Sequence, residues 1–240
     1  QRIHVALVRG PIVASVASVN NEAVPAIGLA YIAGYLLNKG YRVTLVDAIA
    51  EGLNDLWLLE AYPGYQCQGL TFAETIRRIP SDVDVIAFSV MFSGEWPAHR
   101  VLIAAARERF PDKLLVAGGE HITALTEFSV RQCRAIDVCV RGEGEHIFFE
   151  LLEAVREGRE YRSVGGLGFL SDTGQYVETS HLTRIRDVDN IPWPHWPDGY
   201  LEKFWAAGKS YGVQTERDMP MMVSRGCPFQ CTFCSSPRMW

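Results

Sequence analysis

The sequence predicts an α/β fold, a doubly wound parallel sheet of five strands, on three observations. Short and almost wholly apolar runs recur along the first 160 residues. Between them lie stretches whose apolar residues fall at helical spacing. The loops that leave the runs carry glycine or other small residues. Strands this apolar need cover on both faces, which a parallel sheet with intervening helices provides.

The elements follow in order. Ile3–Val8 is a near-continuous apolar run that stops at Arg9-Gly10-Pro11, a buried strand and then a loop. Ala26–Asn38 has helical spacing and ends at Lys39-Gly40, a basic last turn followed by glycine. Arg42–Asp47 is the second strand, Val83–Ser89 the third, Lys113–Ala117 the fourth and Ile136–Val140 the fifth. Pro97–Phe110 reads as a helix, as does Glu145–Glu157 with Ile147, Phe148, Leu151, Leu152 and Val155 on one face. Residues 49–80 are less regular and suggest one or two short helices around Tyr62-Pro63-Gly64. From Gly165 a β-hairpin is expected, turning at Asp172-Thr173-Gly174. The three prolines in Ile191–Pro197 exclude a helix interior or central strand, so this is a linker, with Trp193 and Trp196 expected to pin it to a surface. Met219–Ser224 is expected as a last short strand. The organisation is thus a nucleotide-fold-like domain over 1–160, a hairpin and Pro/Trp linker over 161–215, and the start of another domain over 216–240.

Composition narrows the function. Apolar residues make up 48% and charged residues 21% of 240, ordinary for a globular chain. A net charge of −5 offers no basic field for nucleic acid or anionic membrane. No apolar run approaches the roughly 18–20 residues that span a bilayer. Of six cysteines, three are bunched near the end and Cys67, Cys133 and Cys139 are scattered, which is not a disulfide framework. A reducing, cytoplasmic setting is the expectation.

In an open sheet of this kind, ligands sit beyond the carboxyl ends of the strands where strand order reverses. Four loops fall at that edge: Arg9 to about Pro25, Ser89–Glu95, Gly118–His121 and Arg141–Glu145. Together they would make a wide, shallow site for a large flat ligand, with glycine allowing close backbone approach. Each also has a plainer reading. Glycine after a strand turns the chain, His121 starts a helix with satisfied hydrogen bonds, and Glu143 and Glu145 complement a helix dipole.

The most specific motif is Ser-Arg-Gly-Cys-Pro-Phe-Gln-Cys-Thr-Phe-Cys, with Cys227, Cys231 and Cys234 spaced Cys-x3-Cys-x2-Cys. Cubane clusters take four thiolates, so a loop offering three implies a 4Fe–4S cluster with one iron open to a small molecule. Structural zinc is the alternative, with His181 or His195 as fourth ligand, and the unequal spacing argues against it.

Taken together, these residues resemble the cobalamin-dependent radical S-adenosylmethionine enzymes, a Rossmann-like cobalamin-binding domain ahead of a radical barrel, over nearly the whole chain. The segments from Pro25 to Val43, Val116 to His121, Val140 to Glu145, Ile191 to Pro197 and Ser224 to Ser235 carry the resemblance. It implies that Cys227, Cys231 and Cys234 hold the cluster, that S-adenosylmethionine chelates the open iron, and that Phe233 lines its adenine side. Reductive cleavage would then give a 5′-deoxyadenosyl radical. Ser89, Val90, Met91, Gly118, Gly119, His121, Gly142 and Glu143 would border cobalamin. It further implies methyl transfer to an unactivated carbon of a small-molecule or natural-product substrate, and an electron donor of flavodoxin or ferredoxin type. Non-methylating rearrangement or cyclisation is the alternative, as is a cobalamin-binding module without activity.

Two departures qualify the resemblance. The Asp-x-His-x-x-Gly signature of methionine-synthase-like domains is missing, since Arg9–Pro25 contains no histidine. Gly118-Gly119-Glu120 precedes the cysteine loop, so it is not the Gly-Gly-Glu motif that follows that loop in radical enzymes. Because the cysteine loop lies six residues from the end, the expectation is the N-terminal part of a larger enzyme, inactive by itself. Loops Val13–Val24 and Tyr62–Leu70 are candidate lids.

Overall fold

The computed structural model describes residues 2–18, 23–180, 185–209 and 216–234. The elements run β1 (His4–Arg9), β2 (Ile12–Ser15), α1 (Ile27–Asn38), β3 (Arg42–Asp47), α2 (Ala48–Glu51), β4 (Leu56–Leu58), β5 (Tyr65–Gln68), α3 (Phe72–Arg78) and β6 (Val85–Ser89). They continue with α4 (Trp96–Arg109), β7 (Leu114–Gly118), α5 (Glu120–Ala124), α6 (Thr126–Gln132), β8 (Val138–Val140), α7 (Gly144–Arg156), β9 (Leu167–Leu170), β10 (Tyr176–Glu178) and α8 (Tyr200–Ala206).

The main sheet has the order β10-β9-β8-β7-β6-β1-β3. Its five parallel strands are the five expected, in the spatial order 2-1-3-4-5 of a doubly wound sheet. The strand order therefore reverses between β1 and β6, where Arg9 stands opposite Ser89. Strand alternation sends Val5, Leu7, Val85 and Val116 to one face, against Leu29, Leu36, Phe148, Leu151 and Leu152 of α1 and α7. Ala6, Val8, Ile86, Phe88 and Leu115 face the other way, onto Leu102, Ile103, Ile122 and Val130 of α4, α5 and α6.

Several expectations are corrected. The hairpin at Gly165–Thr179 forms, and it is part of the main sheet, because β9 pairs antiparallel with β8. Around Tyr62-Pro63-Gly64 there is no helix but the turn between β4 and β5, with Gly64 at φ +90°. The two candidate lids supply strands as well: β2 and β4 both pair with β5 in a second, three-stranded sheet. Its inner face buries Cys67 against Ala98 of α4, with Trp57 edge-on to Phe72 at 5.1 Å. Met219–Ser224 is not a strand. Apolar side chains alone do not make one, and the backbone of Met222 bonds to the Tyr31 hydroxyl instead of a neighbouring strand.

The linker lies along α1, with the His195 N–H donating to the Ala30 carbonyl at 2.9 Å. A side chain at Gly34 would run into the Trp193 carbonyl, so the backbone fits only because residue 34 is glycine. Trp196 stacks on Tyr200, with ring centroids 5.5 Å apart. Trp193 does not pin anything by its ring, which is 75% exposed; its main chain makes the contact.

A candidate cobalamin cleft at the strand-order reversal

A cavity of about 520 Å³ opens at the carboxyl edge of the parallel strands. All four glycine-bearing loops reach it, through Arg9 and Val24–Gly28, through Ser89, Met91 and Phe92, through Gly118–Glu120, and through Gly142–Glu145. The floor is apolar, formed by Leu7, Ala87, Val116, Val140 and Phe148. Of the residues expected to border a ligand, Ser89, Met91, Gly118, Gly119, Gly142 and Glu143 line it.

Val90 and His121 do not line it, contrary to expectation. Val90 is buried, its N–H donating to the Gly118 carbonyl and its carbonyl accepting from the His121 N–H. The His121 ring turns into the core, stacks on Trp96 at 4.9 Å and reaches the hydroxyls of Ser93 and Ser129 at 2.9 and 3.2 Å. Burial holds its pKa below the ordinary imidazole value. The plainer reading of this histidine, a helix-start residue with its bonds satisfied, is the one its surroundings match. The cause lies in Gly119, whose φ of +105° reverses the chain before α5.

Beside the β1 exit, burial pushes the Glu95 carboxyl up to about 7, although the Val13 N–H donates to it at 3.4 Å. Neighbouring His99 lies against the Pro11 carbonyl at 3.2 Å, and burial holds it down to about 4. The wall between β1 and α1 is tied by a buried network that sequence reasoning did not anticipate. Arg9 donates to the Val24 carbonyl at 2.7 Å, and Tyr200 donates to Asp47 at 2.6 Å. The Ala26 N–H closes the loop onto the Tyr200 oxygen at 2.9 Å. Asp47 also caps α2 through the N–H groups of Ile49 and Ala50. Burial first, and the Asp47 charge second, raise the Tyr200 pKa. Tyr200→Phe removes two buried hydrogen bonds and is expected to lower stability by about 1–3 kcal/mol in urea unfolding.

Met222, Ser224, Arg225, Gly226 and Cys227 close one side of the cavity. Cys231, Cys234 and Phe233 lie outside it, all exposed, Phe233 by 92%. Among the described residues no three thiol, imidazole or carboxylate groups are gathered closely enough to hold a metal. His195 therefore completes no such group, and His181 lies outside the described residues. Among the described lining residues there is no imidazole to ligate cobalt from the floor. A side chain added at Gly28, at the mouth, would meet nothing within 4 Å. The apolar floor and glycine rim suit a large flat ligand held by backbone approach and exclusion of water. No helix among the described residues is long and apolar enough to cross a membrane.

Comparison with known proteins agrees with this geometry. Residues 13–152, more than half the chain, match the B12 binding domain. A Pyrococcus horikoshii protein named as an uncharacterized methyltransferase is 32% identical over 231 residues, 96% of this chain and 44% of that protein. The anaerobic magnesium-protoporphyrin IX monomethyl ester cyclase of Rubrivivax gelatinosus is 30% identical over 220 residues, 90% of this chain and 36% of that protein. This chain thus spans less than half the length of either relative. The structure of the cobalamin-dependent S-adenosylmethionine radical enzyme OxsB, with aqua-cobalamin and S-adenosylmethionine bound, superposes with a TM-score of 0.64 at 17% identity. That match covers 85% of this chain and 26% of OxsB, and it speaks for the fold. With the domain match and the sheet order in agreement, the chain belongs to the B12-binding domain family, as carried by the cobalamin-dependent radical S-adenosylmethionine enzymes.

Proposed function

We propose that this chain holds cobalamin in the cleft between β1, β6, β7 and β8, as part of an enzyme that uses S-adenosylmethionine and a 4Fe–4S cluster to methylate a small-molecule substrate. One observation carries the reading: the cleft at the strand-order reversal is walled on one side by the segment that leads into the first cysteine. Bound there, cobalamin would supply a transferable methyl group. Ser89, Met91, Gly118, Gly119, Gly142 and Glu143 form the rim that would contact it, and Leu7, Val116, Val140 and Phe148 keep water from the floor. For the cluster, three thiols on a short loop are the appropriate donor set. Their spacing in the sequence, and not their arrangement, supports that half of the proposal. Phe233 would stand beside bound S-adenosylmethionine, and an electron donor of flavodoxin or ferredoxin type would reduce the cluster.

Equilibrium dialysis against hydroxocobalamin tests the cleft. Wild type is expected to retain the cofactor. Gly118→Val adds bulk to the rim at a point where a Cβ meets only Val140, at 3.6 Å, so the fold should survive. Overpacking of this kind costs about 1–3 kcal/mol, so binding should weaken roughly tenfold or more. Unchanged binding by the variant would place cobalamin elsewhere. The cyclases among the relatives, 29–32% identical, favour non-methylating chemistry as a second reading. Formation of S-adenosylhomocysteine with a methylated product supports methyl transfer, whereas 5′-deoxyadenosine without it supports the second reading.

A further inference from the structure

We infer that Arg225 is a positioning residue that couples the ligand cleft to the cysteine loop. Its guanidinium is 12% exposed and reaches Glu145 at 2.5 Å and Glu143 at 3.8 Å, carboxylates that are 6% and 7% exposed. Its Cζ lies 5.4 Å over the Tyr31 ring, a cation–π contact in a largely desolvated setting. The same Tyr31 hydroxyl takes the Met222 N–H at 3.3 Å and faces the Met222 carbonyl at 3.4 Å. Residues 222–225 are therefore held at two points, by α1 and by the first turn of α7.

The partners decide what this contact does. Glu143 and Glu145 line the cleft, and so do Arg225 and Cys227. One buried cation thus faces two buried anions across the boundary between cleft and loop, a grouping that is stable only while all its members stay paired. Glu143 has a further partner in the Ile185 N–H. A ligand in the cleft packs against residues that fix Arg225, and Cys227 follows Arg225 by two positions. Seating the ligand then restrains the loop, and a restrained loop strengthens ligand binding by the same factor. The ligand half of this inference rests on the cobalamin reading of the cleft; the docking half does not.

Hydrogen exchange read by mass spectrometry, with and without hydroxocobalamin, tests both halves. The proteins are wild type, Arg225→Lys, and the pair Arg225→Met/Glu145→Gln, which leaves Glu143 with its Ile185 partner. Without cobalamin, amides 222–227 should exchange about tenfold faster in the pair, while β1 and β6 amides stay unchanged. With cobalamin, wild type should gain protection at 222–227, and the pair should lose that gain and bind about fivefold more weakly or worse. Arg225→Lys keeps the charge without the planar fork and should fall between. If the pair unfolds, Arg225→Lys decides alone: faster exchange at 222–227 supports the inference and no change overturns it. Wild-type behaviour in the variants overturns the coupling. Failure of wild type to bind cobalamin removes the ligand instead, and the cofactor-free exchange still judges the clamp.

Discussion

Replacing Gly119 by alanine is expected to cost this chain about 3 kcal/mol of stability or more. Gly119 has φ +105° and ψ 179°, a region that side-chain-bearing residues rarely enter. A Cβ there would also stand 2.5 Å from the Val90 oxygen and 2.9 Å from its carbonyl carbon. Neither contact can relax cheaply, because the Val90 carbonyl accepts the His121 N–H and the Val90 N–H is bonded to Gly118. For a chain of this size the melting temperature should fall by roughly 6–12 °C. Gly118→Ala is the matched control, since its Cβ would make only ordinary contact with Val140. Equal melting temperatures for the two variants would show that the turn after β7 tolerates a side chain.

The second large effect is on pH dependence. The folded Glu95 keeps its proton up to about pH 7, while its unfolded value is near 4.5. Between those values the folded state binds more protons, so stability falls as pH rises. His99 works oppositely: it takes a proton only below about 4 when folded and near 6.5 when unfolded, so stability falls as pH drops through that window. Each is worth on the order of 3 kcal/mol, and over their shared range the slopes oppose. Glu95→Gln removes one of them while an amide oxygen still accepts the Val13 N–H. Its stability should climb from pH 4 to 6.5 and exceed wild type at pH 8 by about 1–3 kcal/mol. Urea unfolding at pH 5, 6.5 and 8 measures this. No advantage at pH 8 would mean that Glu95 ionises freely in the folded chain.

What the sequence made legible follows physical rules. β1 and β6 are apolar enough that burial on both faces is the only stable arrangement, and the Lys39-Gly40 stop is chemically explicit. β5 was unreadable because Tyr-Gln-Cys-Gln is half polar and its pairing with Ile12–Ser15 is a long-range contact. Met219–Ser224 has the apolar run of a strand, yet only Met222 and Ser224 of it line the cleft and Val223 is 96% exposed, an outcome that local pattern does not separate from sheet burial. Gly118, Gly119 and Gly142 line the cleft because the loops leaving the strands sit at its edge, and loops after strands are where the sequence places glycine. Only the resemblance places His121 beside the cofactor, whereas the turn at Gly119 sends its ring inward onto Trp96. Arg225 was hidden for a different reason: its partners are about eighty positions away in the sequence.

The notch at Gly34 bears on how the chain is divided for laboratory work. A boundary at residue 190 looks convenient, just ahead of the prolines. A fragment cut there would lose the Trp193 carbonyl from its seat, the His195 bond to Ala30, and Tyr200 from the Asp47 network. It would carry a bare trench along α1 and a loosened cleft wall. A fragment extending past Ala206 keeps all three.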